Sequence, residues 1–224
     1  MKEIIMPTSY TYFFIEMLLI LIVIMVAKRA RKYAPDKIKV LSIFIVVLWL
    51  FRFTANIFLF ISKNIIFLYI LKFFALINVA TIPVTAILCL YIFYRNNEIK
   101  FDYLMLISVG IILLYGFFVF KLDYNIKRTE SFGYIISFQN WLLIDFLLII
   151  IASIILLCAL LILGERLVNS EGASFLIAAS SVTIIEIVLK VLGIQVMPNL
   201  VISDLAWVLV LVYAISAFKK NKSL

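Results

Sequence analysis

The chain has no histidine. That removes the commonest metal ligand and the usual general base near neutral pH. Its two cysteines, Cys89 and Cys158, both fall inside apolar runs. They read as small packing residues rather than as a redox pair. Six glycines and four prolines are too few for a low-complexity chain, and none forms a glycine-rich phosphate loop. There is no Ser–His–Asp set and no pair of carboxylates within one helix. No catalytic residue, metal site or cofactor is therefore expected, and the chain does not read as an enzyme.

Charge is scarce as well. Only 14% of the residues are charged, whereas 67% are apolar, against 45–50% in a soluble domain. The apolar residues come in long runs rather than at amphipathic spacing. Such runs mark an all-α integral membrane protein. The spans fall at about 9–27, 38–62, 65–94, 102–121, 141–164, 173–194 and 202–218. Most reach the roughly 20 residues that cross a hydrocarbon core. The expected architecture is one seven-helix membrane domain over residues 1–224. The third run is long for one crossing, so a kink at Pro83 or an interfacial first turn near Ile65–Tyr69 is expected to absorb the excess.

The loop cations set the orientation. Lys28, Arg29, Arg31, Lys32, Lys37, Lys39, Arg95, Lys100, Arg166, Lys219, Lys220 and Lys222 fall on one side. Only Lys2, Lys63, Lys121, Lys127 and Arg128 fall on the other. The positive-inside rule then places the N-terminus outside and the C-terminus in the cytoplasm of a cell-membrane protein. The basic cluster follows the first apolar run, which describes a signal anchor rather than a cleaved leader. The net charge of +8 is read as topogenic charge in contact with the lipid bilayer, not as a nucleic-acid surface. The loop Lys121–Asn140 is rich in β-formers from Phe132 to Phe138 and suits a small outer hairpin.

Seven ionisable residues lie inside the apolar runs: Glu16, Arg52, Lys72, Asp145, Glu186, Lys190 and Asp204. A charge at the centre of a membrane helix costs roughly 2.5–3.5 kcal/mol on the insertion scale, so each is a functional-site candidate by default. With the orientation above, all seven fall in the outer half. Glu16 and Arg52 are deepest, and Asn56 continues the Arg52 face one turn on. Glu186 and Lys190 stand at i, i+4 in the favoured order, as an expected ion pair. These five are the ligand- or proton-binding candidates. Lys72, Asp145 and Asp204 are weaker ones, because side chains this shallow can snorkel to the interface. Asn78, Thr81, Thr85, Ser153, Ser180, Ser181 and Thr183 read as polar packing groups. Tyr10, Tyr12, Phe13, Tyr134, Trp141 and Trp207 read as an outer aromatic belt.

The proline-containing stretch Thr81–Tyr94, the outer loop before span five, and Pro198 through Asp204-Leu-Ala-Trp207 to Phe218 carry a resemblance. In organisation the chain resembles the seven-span N-terminal sensor module of bacterial and archaeal histidine kinases. In that family a cytoplasmic kinase or signalling domain follows the last span; here the chain ends six residues after Phe218. The resemblance implies a stand-alone sensor-like or ligand-binding module with an outward polar cavity and a separate signalling partner, cytoplasmic or in the membrane. It implies no kinase activity. A small transporter or transporter subunit is the second reading, and a structural or assembly subunit the third.

Overall fold

The structure is a computed structural model describing residues 5–62, 68–94, 100–129, 132–165, 168–194 and 197–221. Of the loop cations counted above, Lys2, Lys63, Arg95, Arg166 and Lys222 lie outside the described residues, as do positions 65–67 of the third run. The elements are α1 (Ile5–Tyr33), α2 (Asp36–Ile61), α3 (Leu68–Ala75), α4 (Asn78–Tyr94), α5 (Phe101–Lys121), β1 (Tyr124–Thr129), β2 (Gly133–Phe138), α6 (Trp141–Leu163), α7 (Ser170–Val191) and α8 (Val201–Asn221). Together they supply seven helical segments long and apolar enough to cross a membrane, with α3 and α4 forming one of them.

The polar punctuation of the sequence places the ends. Helix α1 stops at Tyr33 ahead of Pro35, whose extended backbone opens α2. Helix α7 begins at Asn169, whose side chain accepts the Gly172 amide at 3.2 Å. It ends in a Schellman motif, with Gly193 at φ 82° and the Ile194 amide bonded to the Leu189 carbonyl. Helix α4 lies at the centre and packs against α2, α5, α6, α7 and α8, while α1 sits between α2 and α8. Trp49, Phe53, Leu88, Phe93, Val208, Leu211 and Ile215 are among the residues that fill the interior. The outer faces of α5 and α6 expose Leu106, Leu113, Phe117, Leu143, Phe146, Ile150, Leu157 and Leu161. Apolar surface of that extent suits lipid, not water.

The third span is interrupted one to two turns before Pro83, at Leu76–Ile77, so Pro83 is the sixth residue of α4. The backbone tightens there: the Ile77 amide reaches Phe74 O at 3.4 Å and the Ala80 amide reaches Ile77 O at 2.9 Å. This shift to shorter bonds releases the carbonyls of Phe73 and Ala75 from the regular ladder. Side chains take them up. Tyr115 of α5 donates to Phe73 O at 2.5 Å, and the Arg52 guanidinium donates to Ala75 O. A break at membrane depth is tolerated when neighbours re-satisfy the freed groups in this way.

The hairpin expected in the loop before span five is present, with β1 and β2 antiparallel. Residues directly opposite share a face. Tyr134, Ile136 and Phe138 point into the bundle, the first two against Ala55, Leu59, Leu68 and Leu71. The register puts Asn125 opposite Ser137 and Lys127 opposite Ile135 on the other face.

Candidate functional site

The buried charges gather at the hairpin end of the bundle, in three neighbouring groups; Glu16 and Glu186 both lie close enough to Arg52 to interact with it. The first centres on Arg52, 1% exposed on α2. Its Nε donates to the Asp204 carboxylate at 2.6 Å. One terminal nitrogen donates to Ala75 O and the other to Asn199 O. A single side chain thus joins α2, the break in span three, the turn before α8 and α8 itself. A guanidinium suits this task, because it offers five N–H groups in a rigid fork and keeps its charge.

Asp204 is therefore not an interface anchor. It is 0% exposed and is the direct partner of Arg52. The reason lies in how α8 begins. Pro198–Leu200 forms a short 3-10 turn in which Asn199 and Leu200 both adopt left-handed backbone, at φ 60° and 59°. That turn starts the span earlier than the apolar run suggests and carries Asp204 into the interior. Left-handed backbone is unfavourable for leucine by roughly 1–2 kcal/mol, so the turn needs holding. The Arg52 bond to Asn199 O holds it.

The second group is Glu16 with Asn56. The Asn56 amide donates to the Glu16 carboxylate at 2.9 Å, tying α1 to α2, and both residues are buried. Tyr12 lies one turn from Glu16 on the same helix and is also buried, so it is no part of an aromatic belt. The same correction applies to Trp207, which is fully buried with its indole donating to Thr183 at 2.9 Å. Trp49 makes the matching bond to Thr85 at 3.2 Å. An indole N–H in a dry interior takes the nearest hydroxyl.

The third group overturns the expected Glu186–Lys190 pair. Lys190 instead bonds Asp145 of α6 at 2.7 Å and sits over the Trp141 ring at 5.2 Å. Glu186 turns to the start of α8, where it accepts the Ser203 amide at 2.7 Å, the Ile202 amide at 3.3 Å and the Ser203 hydroxyl. Helix starts leave amides without partners, and a carboxylate from a neighbouring helix meets that need. This demand outweighs an i, i+4 contact worth only about 0.2–0.5 kcal/mol. Lys72 stands apart from all three groups, 4.1 Å from the Tyr124 ring centre.

Beneath the hairpin lies a cavity of about 370 Å³. Its floor contains Arg52, Asn78, Asn199 and Leu200; its walls include Val79, Ile144, Leu148, Asp145, Lys190 and Trp141. The hairpin closes it with Asn125, Lys127, Thr129, Ile135 and Ser137 of one face and Ile136 and Phe138 of the other. The size falls within the range of small-molecule sites, and half of the lining residues are polar or charged. Of the sequence candidates, Arg52, Lys190 and Asp145 border this space, whereas Glu16, Asn56, Glu186, Lys72 and Asp204 do not. Tyr115, Asn199, Ser203 and Lys127 carry no signal in the sequence. Tyr115 sits in an apolar run like any packing aromatic, and Lys127 in a loop like any topogenic cation.

Seven apolar helices around a core that holds buried, paired charges define a multi-pass membrane protein. The chain matches no protein-family model, no curated protein and no solved structure.

Proposed function

We propose that this is a sensor-like ligand-binding module of the cell membrane, with its N-terminus and hairpin outside. The observation that supports it best is the roofed polar cavity with Arg52 in its floor. Arg52 is also the point where α2, the broken third span and the strained turn before α8 meet. A ligand that bonds the guanidinium competes with those contacts, and so favours one packing of α8 against α2 over another. A ligand shifts such an equilibrium only by its difference in affinity for the two packings. Arg52 gives the two states something to differ in. The module transmits to a separate partner and has no catalysis of its own.

A small transporter would need a polar route through the opposite, basic half of the bundle. The described interior there, from Leu19, Val23 and Leu41 to Leu211 and Ile215, carries no charge. That favours a receiver over a pathway.

The experiment is site-directed labelling in whole cells, in a C89A/C158A background. Ser137→Cys on the cavity face of the hairpin is expected to react with a membrane-impermeant maleimide. Lys37→Cys at the start of α2 is expected to react only after the cells are permeabilised. The reverse pattern overturns the orientation and with it an outward cavity.

A further inference from the structure

We infer that the cavity beneath the hairpin takes a small monoanion, a carboxylate or phosphodiester carried on a compact apolar group. This rests on the cavity being the ligand site, as proposed above, and adds the chemistry of the occupant.

The charge balance of the lining comes first. Arg52, Lys127 and Lys190 border the space, against one carboxylate, Asp145. Asp145 is committed to Lys190 at 2.7 Å, and Arg52 to Asp204 behind it at 2.6 Å. Each of those pairs is neutral. Lys127 remains, a cation on the cavity face of β1 with no carboxylate partner among the described residues. Among the side chains that line the space, Lys127 is thus the one cation not already paired.

Unused donors come second. Arg52 makes three hydrogen bonds with its five N–H groups, which leaves two. Asn78 lines the cavity at 6% exposure, and its side-chain amide bonds to no described residue. An occupant that accepts from it gains a hydrogen bond. A carboxylate or phosphodiester is an acceptor throughout, and it answers both the surplus charge and the surplus donors. A cationic or donor-rich occupant answers neither. Val79, Ile144 and Leu148 supply apolar wall beside these groups, with Trp141 at the rim. The anion accordingly carries an apolar part, and a bare inorganic ion leaves that wall unused. Two sources share this chemistry: a free small acid, and the headgroup of an anionic lipid in the adjoining leaflet.

Three probes of one shape separate charge from fit. Benzoate, benzamide and benzamidine are titrated against the purified full chain in phosphatidylcholine nanodiscs. Occupancy is read both by thermal shift and by protection of Ser137→Cys from maleimide. Benzoate is expected to bind more tightly than benzamide, and benzamidine least. Lys127→Met is expected to weaken benzoate about tenfold, the scale of one charge-assisted bond. Lys127→Glu is expected to reverse the order in favour of benzamidine. Lys127 is exposed on the hairpin, so a general loss of folding does not mimic that reversal. Repeating the titration with phosphatidylglycerol in the discs separates the sources. If the lipid supplies the anion, it protects the Ser137→Cys thiol and competes with benzoate; if a free acid does, the benzoate curve is unmoved. Benzamide or benzamidine binding as well as benzoate, unaffected by Lys127, overturns the anion and leaves the cavity as a ligand site. Failure of all three probes to bind or protect overturns both.

Discussion

Replacing Asp204 by alanine is expected to destabilise the folded bundle by about 3–5 kcal/mol, the usual scale for leaving one member of a buried ion pair alone. Arg52 cannot escape to water, because it is 1% exposed and anchored to two backbone carbonyls. Nor can it lose its proton readily, since the guanidinium stays charged. The double variant R52M/D204L removes the charge problem and is expected to recover part of the loss. The remaining deficit, about 1–3 kcal/mol, belongs to carbonyls of Ala75 and Asn199 left without a donor. Reversible unfolding in mixed detergent micelles measures each variant against the unmodified chain. A cost under about 1 kcal/mol for D204A would mean that the pair is solvated, as exposed ion pairs are, and that Arg52 is no hub.

The second large effect concerns Gly133, which opens β2 at φ 69°. A Cβ there would lie 2.7 Å from the Leu59 carbonyl oxygen and 2.8 Å from Phe60 Cα, both backbone atoms of α2. Helical backbone cannot step aside, so only glycine lets the hairpin lie this close. Gly133→Val adds a β-branched residue in left-handed backbone to that collision, and is expected to cost the docked hairpin more than the roughly 1–3 kcal/mol of such strain alone. The helices need not change. The expected result is helical content equal to wild type, with Ser137→Cys reacting at least about tenfold faster as the roof lifts, since 1.4 kcal/mol already gives a factor of ten. Unchanged labelling would show that the hairpin does not seat on α2.

Much of this is legible in the chain because bilayer physics is severe. Seven long apolar runs have no other home than a membrane, and the hairpin announces itself through Tyr134, Ile135, Ile136 and Phe138. The residues with a place in the interior are legible too, since a charge at membrane depth is conspicuous: Arg52, Glu16, Asp204 and Glu186 all stand out on that ground. Their partners do not. An i, i+4 rule pairs Glu186 with Lys190, but it sees one helix only. The competing demand comes from the Ile202 and Ser203 amides of another helix. Asp204 reads as too shallow for a similar reason. Its depth depends on the left-handed turn at Asn199 and Leu200, and a Leu in that conformation has no sequence signature. The break at Leu76–Ile77 is hidden because Pro83 is the only conspicuous helix breaker nearby, while the groups that make the break tolerable, Tyr115 and Arg52, come from distant helices.

If Arg52 is the hub proposed above, occupancy of the cavity is felt at the other end of the bundle. The most direct measurement is the distance between spin labels at Lys37, at the start of α2, and Ser174, in the first turns of α7, by double electron–electron resonance. Both positions are exposed at the basic end, far from the cavity lining. A saturable change in the distance distribution is expected as benzoate is added, following the same curve as protection of the Ser137→Cys thiol, with no change in R52M/D204L. Full protection of that thiol with an unaltered distribution in the otherwise unmodified chain would contradict it: the cavity would bind, and the bundle would not respond.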